Sequence, residues 1–464
     1  MPVGLRIART VMLACLLCWE LGSASTRAQG LSLLRDSEIE DTIRLWTEPL
    51  FLAARVDPAS VRLLLVNDSS LNAFVAGGQN LFINSGLLTA SDSPGQVIGV
   101  LAHEIGHISG GHLARTGEAL RGAQAASLVA TLLGIGLIAL GAATGNSEGA
   151  KAGGAVIAGG QSAGQRTFLA YTRTQERSAD QAAVDVLDRT HQSSAGMLAF
   201  MEKLADQELL AVSRQDPYVR SHPLTYDRID FLREHLRTSP WSDVPDRPQD
   251  IVRHQRMRAK LIGFIERPHR VLHNHYPVTD QSLPARYARA VAYFRLSQLD
   301  KAFAEIDRLI AESPSDPFFL ELKGQIHYES GQVAESIPLY EQAVALRPRD
   351  ALILTALGQA RLQTGDASLV TPAIEALEAA RRVDNENPTT WRLLGKGYNA
   401  IGDDGASALA SAEYSLLIGR VQDVFLHLGR ADRIYAEGSS GWLKAQDIRG
   451  EADQLATLQG ERDQ

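Results

Sequence analysis

Residues 97–111 contain His103-Glu104-Ile105-Gly106-His107, an H-E-x-x-H pattern set in a stretch with helical apolar spacing. Ser93 is a good N-cap, Pro94 suits the first helical position, and Gln96 completes an S-x-x-Q capping box. Val97, Val100, Leu101, Ile105 and Ile108 supply the apolar repeat, and Gly110-Gly111 supplies a stop. Residues four apart on such a helix share a face, with Cβ atoms about 6 Å apart, so both imidazoles can reach one ion. Glu104, beside the first of them, is placed to take a proton from water next to that ion. A helix of this kind has to turn its two histidines toward partners that complete a metal site.

Tetrahedral zinc in a hydrolase takes three protein ligands and keeps a fourth position open. The chain has only two cysteines, Cys15 and Cys18. Both fall in an N-terminal stretch with Arg6 and Arg9, a short apolar run and small residues up to Ala28, which reads as a secretory signal peptide over 1–28. The mature chain would then have no disulfide and no thiolate ligand, leaving His and carboxylate to hold one Zn2+ per chain. A metzincin would place its third His at position 113, which is Leu113, while His112 falls one residue early and reads as a surface or supporting residue. Further on, a helix starting near Thr172 carries Glu176 and Asp180 on one face, with Ala179, Ala182, Ala183, Val186 and Leu187 turned inward. Glu176 is the candidate third ligand, and Asp180 can accept the free N–H of a ligand His. His222, in Ser221-His222-Pro223, precedes a further helix; it reads either as a structural His at the helix start or as a lid residue that donates to the oxyanion of the tetrahedral intermediate or fills the ion's open position at rest.

The rest of the chain reads in order as a helix from Ser37 to Leu52 kinked at Pro49, a strand over 61–66, and two short strands around Gly77-Gly78 within 72–88. Those strands read either as a core hairpin or as a free edge along which an extended peptide adds. Residues 123–143 carry no charge and 150–164 carry only Lys151; they read as a helical hairpin packed beside the active site and open to membrane or a hydrophobic client, with a transmembrane span as the alternative. A Pro- and Asp-rich boundary near 239–248 closes a metallopeptidase domain over 29–250, and a basic helix with a His- and Pro-containing connection makes 251–282 a linker. Gly324, Gly358 and Gly395 then recur, each followed seven residues later by Gly331, Gly365 and Gly402, with Pro314, Pro348 and Pro388 closing the units. This is tetratricopeptide spacing, assigned to 283–450 with a tail over 451–464, and such arrays bind partners in a concave groove. A net charge of −8 with no basic run argues against a nucleic-acid binder.

Four motifs in order, Asn72-Ala73-Phe74 with Asn84-Ser85-Gly86-Leu87, the H-E-x-x-H helix, Glu176-Arg177-Ser178-Ala179-Asp180 and Ser221-His222-Pro223, resemble the HtpX and CAAX-prenyl-endopeptidase class of gluzincin metallopeptidases. The likeness is strongest to its periplasmic branch with a tetratricopeptide tail. The resemblance implies a mainly α fold: a gluzincin zinc-peptidase domain with a small β-sheet, followed by a repeat solenoid. It implies His103, His107 and Glu176 as ligands, Glu104 and His222 as catalytic residues, and Asp180 and Arg228 as supports. Asn72, Phe82, Ile83 and Asn84 would lie on the substrate strand. It further implies a periplasmic location, unfolded or misassembled outer-membrane proteins as substrates, and contact with the assembly machinery through the repeats. The competing function is a periplasmic chaperone or adaptor with a silent metal site, which the intact glutamate of H-E-x-x-H disfavours.

Overall fold

The computed structural model describes residues 32–112, 115, 171–205, 218, 221–223 and 225–462. The expected signal peptide and the apolar hairpin over 123–164 lie outside these residues. Among the described residues no helix is long and apolar enough to cross a membrane.

Helix α1 (Ser37–Ala53) starts on Asp36, whose side chain accepts from Ile39 N at 3.0 Å. Ile39, Ile43, Trp46 and Leu50, spaced four, three and four, are buried on one side of it and enter the main core. Pro49 sits inside the helix, one turn before its end. A two-residue strand β1 (Leu33–Leu34), then β2 (Arg62–Val66), β3 (Ala73–Ala76) and β4 (Asn80–Asn84) form a four-stranded sheet in the order β1-β2-β4-β3. β2 runs parallel to β4, pairing Leu64 with Phe82, while β3 returns antiparallel to β4 across the Gly77-Gly78 turn. β4 is therefore paired on both sides, and β3 holds an outer position. Phe82, Ile83 and Asn84 therefore lie on an interior strand whose ladder groups face β2 and β3, and an added strand would join an outer strand, β3 or the short β1.

From Asn84 the chain enters α2 (Ser85–Ala90) and then α3 (Pro94–Ser109), the H-E-x-x-H helix. Ser93 caps it as expected, accepting from Gln96 N at 3.4 Å, but Gln96 Oε1 reaches back to Asp92 N (2.9 Å) rather than to Ser93. α3 is buried on nearly every side, against β3, α1 and α5 (Ala195–Ala205). Helix α4 over 171–189 lies along its histidine face, and α6 (Tyr226–Thr238) follows the His222 turn.

The stretch expected to be a linker holds α7 (Pro248–Ile265), which packs on α1, α2 and α3 on one side and on α8 (Leu283–Arg295) on the other. Its Met257, Ala259 and Leu261 are buried, so it belongs to two cores at once. Helix pairs then stack as α9 (Leu299–Glu312), α10 (Pro317–Glu329), α11 (Val333–Leu346), α12 (Ala351–Gln363), α13 (Val370–Val383), α14 (Pro388–Ala400), α15 (Asp404–Leu417) and α16 (Val421–Ala431). The recurring glycines have two separate causes. Gly331, Gly365 and Gly402 take positive φ (+83°, +76° and +77°) after the first helix of a pair, which L side chains disfavour. Gly324 and Gly358 let paired helices touch: a Cβ there would lie 3.0 Å from Tyr340 and 2.5 Å from Leu377. Pro388 does not close a unit; it opens α14 at the first turn, as Pro317 opens α10. The expected tail continues α17 (Ser440–Arg462), with Ala452 buried.

Residues Leu34–Gln464 form one compact unit. Its two halves meet through charged groups: Arg256 bonds Glu38 (2.7 Å), Lys260 faces Asp36 (2.8 Å), Tyr287 donates to Glu38 (2.7 Å) and Arg35 bonds Asp384 (2.8 Å). Arg347 pairs with Asp41, and Ser37 donates to Asp350.

Candidate metal centre

α3 turns His103 and His107 toward α4, and Gly106 sets how close the two helices come. A Cβ on Gly106 would lie 2.6 Å from the Ala179 carbonyl oxygen, so only glycine admits this approach without a shift. Across that contact Glu176 places its carboxylate 3.2 Å from His103 Nε2 and 3.4 Å from His107 Nε2. The two imidazole Nε2 atoms are 3.1 Å apart. His222 joins from the turn before α6, its Nδ1 3.3 Å from His103 Nε2 and 3.2 Å from Glu176. One donor atom from each of His103, His107, Glu176 and His222 lies within 4.8 Å of all the others.

The surroundings suit a cation. His103, Glu176 and Asp180 are almost wholly buried. Burial works against a charged His103, yet Asp180 and Glu176 more than offset it and hold the imidazole up at about 9. Burial also drives His107 down to about 3, keeping it a neutral donor. Glu176 stays well below the usual carboxylate range despite burial, because His222, His103 and His107 face it. A neutral imidazole, ionised carboxylate and inward-facing Nε2 atoms form the His and carboxylate donor set that zinc accepts.

Asp180 Oδ1 lies 2.9 Å from His103 Nδ1, on the ring side away from the cluster. Arg228 grips Asp180 with two hydrogen bonds, of 2.6 and 2.8 Å, and donates to the carbonyls of Pro223 (2.9 Å) and His222 (3.4 Å). It also lies 3.1 Å from Glu176. One guanidinium thus ties the partner of one imidazole, the carboxylate donor and the His222 turn together, using its planar fork. Arg228 outweighs burial in keeping Asp180 ionised.

Glu104 is buried beside the cluster, and burial raises its pKa above the ordinary carboxylate value. No hydrogen bond reaches its Oε1 among the described residues, and His222 Nε2 stands 3.4 Å away. A desolvated carboxyl of raised pKa is suited to exchanging a proton near neutral pH.

The structure thus brings Glu104, His103, His107, Glu176, His222, Asp180 and Arg228 to one place. Of the strand residues, Asn72 and Asn84 are buried where β3 and β4 begin and end, with Asn84 N donating to Asn72 O (2.9 Å), and Phe82 stacks on Phe74 at 4.9 Å. Sequence reasoning left His112 as a surface or supporting residue without naming His107 as its partner, and it did not single out Tyr218, which tilts its ring on His222 at 4.8 Å. The His112 contact depends on how the chain turns after α3, which no spacing rule marks; Tyr218 stands four residues before His222, whose N donates to the Tyr218 carbonyl (2.7 Å), a one-turn spacing that the sequence does carry.

Residues 40–236 match Peptidase family M48, and 272–317 and 324–365 match tetratricopeptide repeats. The chain is similar to the beta-barrel assembly-enhancing protease of Yersinia pestis, 28% identical over 284 residues, or 60% of this chain and 56% of that protein. It is similar to the protein of that name in Escherichia coli K12, 26% identical over 406 residues, covering 85% of this chain and 78% of the relative. A third relative, the metalloprotease LoiP of Escherichia coli K12, is 25% identical over 224 residues, 47% of this chain and 77% of its own length. Against the Yersinia protein, the chain spans little more than half the relative's length.

Proposed function

This chain carries a peptidase family M48 domain followed by tetratricopeptide repeats, and from that premise we propose that it is a periplasmic zinc endopeptidase whose repeats recruit unfolded or misassembled outer-membrane β-barrel proteins. The observation that carries the reading is the meeting of four donor atoms within 4.8 Å, with a buried carboxylate oxygen beside them that takes no hydrogen bond among the described residues. The names of the relatives support the β-barrel client class. His103, His107 and Glu176 hold the zinc, with His222 a fourth donor in this arrangement. The ion supplies Lewis-acid polarisation of a peptide carbonyl and makes water more acidic.

Glu104 takes the proton from the attacking water and passes it to the departing amine, a two-way transfer that its raised pKa favours. Asp180 fixes the His103 ring through Nδ1, and Arg228 fixes Asp180. An extended substrate adds along β3, an outer strand, which packs on α3. His222, released from the donor cluster when substrate enters, is placed to donate to the oxyanion.

Zinc content together with cleavage of a reduced, unfolded protein by the wild type and by Glu104→Gln tests the proposal. One equivalent of zinc in both proteins is expected, with the variant's hydrolysis down by roughly 10²–10⁴-fold, the usual contribution of a general base. Undiminished hydrolysis in the variant removes the catalytic reading.

A further inference from the structure

His112 stands five residues past His107, beyond the end of α3, and is 4% exposed. Gly110 and Gly111 end the helix, Gly111 with φ +62°, and the chain doubles back so that His112 Nδ1 comes 3.0 Å from His107 Nδ1. The two rings meet edge to face at 5.0 Å and 81°. Gln175 of α4, next to Glu176, donates to the His112 carbonyl at 3.2 Å and anchors the turn.

His107 presents Nε2 to the donor cluster, 3.1 Å from His103 Nε2. A nitrogen that binds a cation carries no proton, so the single proton of neutral His107 belongs on Nδ1. That proton then points at His112 Nδ1, which accepts it when His112 keeps its own proton on Nε2. We propose that His112 is a positioning residue for the metal centre, holding His107 in the tautomer and orientation that expose Nε2 to the ion. It does for the second imidazole what Asp180 does for the first, with a neutral partner in place of a charged one. Outer partners of this type commonly govern metal affinity.

Gly110 gives an independent handle on the same contact. A Cβ there would lie within 2.7 Å of His112 Cδ2, while the backbone φ of −75° suits any residue. Gly110→Ala therefore pushes the His112 ring aside and leaves every donor residue in place.

The inference rests on the zinc reading above, and the experiment separates the two. Zinc affinity of the full chain is measured by chelator competition for wild type, His112→Leu, His112→Asn and Gly110→Ala, with 15N shifts of histidine-labelled protein reporting the His107 tautomer. His112→Leu and Gly110→Ala are expected to bind zinc roughly 10–100-fold more weakly. They are not additive when combined, since both break one contact. His112→Asn, which keeps an acceptor, recovers part of the affinity, and the His107 Nδ1–H signature weakens in the two disruptive variants. Should His112→Leu fail to fold, Gly110→Ala and His112→Asn carry the same comparison. Wild-type affinity in Gly110→Ala and His112→Leu, with the His107 signature unchanged, overturns the inference alone. A wild-type chain that binds no zinc overturns the metal reading and this inference together.

Discussion

Under the proposed function, His222 would add a fourth donor atom to a set that already has three, and four protein donors saturate tetrahedral zinc. Removing it opens a position. His222→Ala is therefore expected to bind zinc more weakly in chelator competition and, lacking its oxyanion donor, to cleave a short unfolded peptide more slowly than wild type; unchanged zinc affinity would place His222 outside the coordination sphere. Arg228 is a different kind of residue, 2% exposed and bonded to Asp180 by both arms of its fork. Arg228→Met strands the Asp180 charge in the core, and chemical denaturation should register a loss of about 3–5 kcal/mol, the usual result of breaking a buried pair from one side. His103 with His107, and Glu176 with Asp180, were legible in the sequence because helical spacing puts each pair on a common face, and Glu104 because it sits inside the H-E-x-x-H pattern that also lends Glu176 its meaning. His112 was not legible as a partner of His107, because its neighbour is set by a reversal at the helix end that no periodicity encodes.

Among the elements, α3 and α4 depend on a contact without side chain at Gly106. Gly106→Ala must push α4 away from α3 by a few tenths of an ångström, since the opposing atom is a backbone oxygen with no rotamer to change. Overpacking of this sort costs about 1–3 kcal/mol. Its mark would be lower stability together with weaker zinc binding, because Glu176 rides on α4; lost stability with full zinc affinity would count against the arrangement. The helix α7 shows what sequence reading left out at 251–282. Arg253, Arg256 and Lys260 mark the segment as a basic helix. Lys260 is 1% exposed, and its carboxylate partners Asp36, Glu38 and Glu321 lie far off in the chain, so nothing nearby announced that the charges were inward. Strand order was hidden for a related reason: apolar alternation marks a strand but not its place in the sheet, and β4 is interior.

At the level of the whole molecule, the junction between the peptidase half and the repeats is ionic and titratable. Glu321 is pushed up to about 7, chiefly by burial and further by Asp36, Asp350 and Glu38, with Lys260 opposing. The folded chain thus holds this proton more tightly than the unfolded one, whose carboxyl titrates near 4.5. Stability should fall as pH rises from about 4.5 to about 7 and level off above that. Glu321→Gln removes this slope: its melting temperature should exceed that of wild type at pH 8 and match it at pH 5. A variant that melts below wild type at pH 8 would show that the ion pair with Lys260 outweighs the repulsion.

Helix α1 joins these two parts, for its first turn is pinned to the repeats while its body lies on the H-E-x-x-H helix. The array is bolted to the catalytic frame and does not swing on a tether. Under the proposed function, the place where a client is gripped and the place where it is cut then stand at a fixed offset, like the fence and blade of a saw. The length of slack chain in the client, more than its sequence around the cut, would decide which bond arrives at the blade.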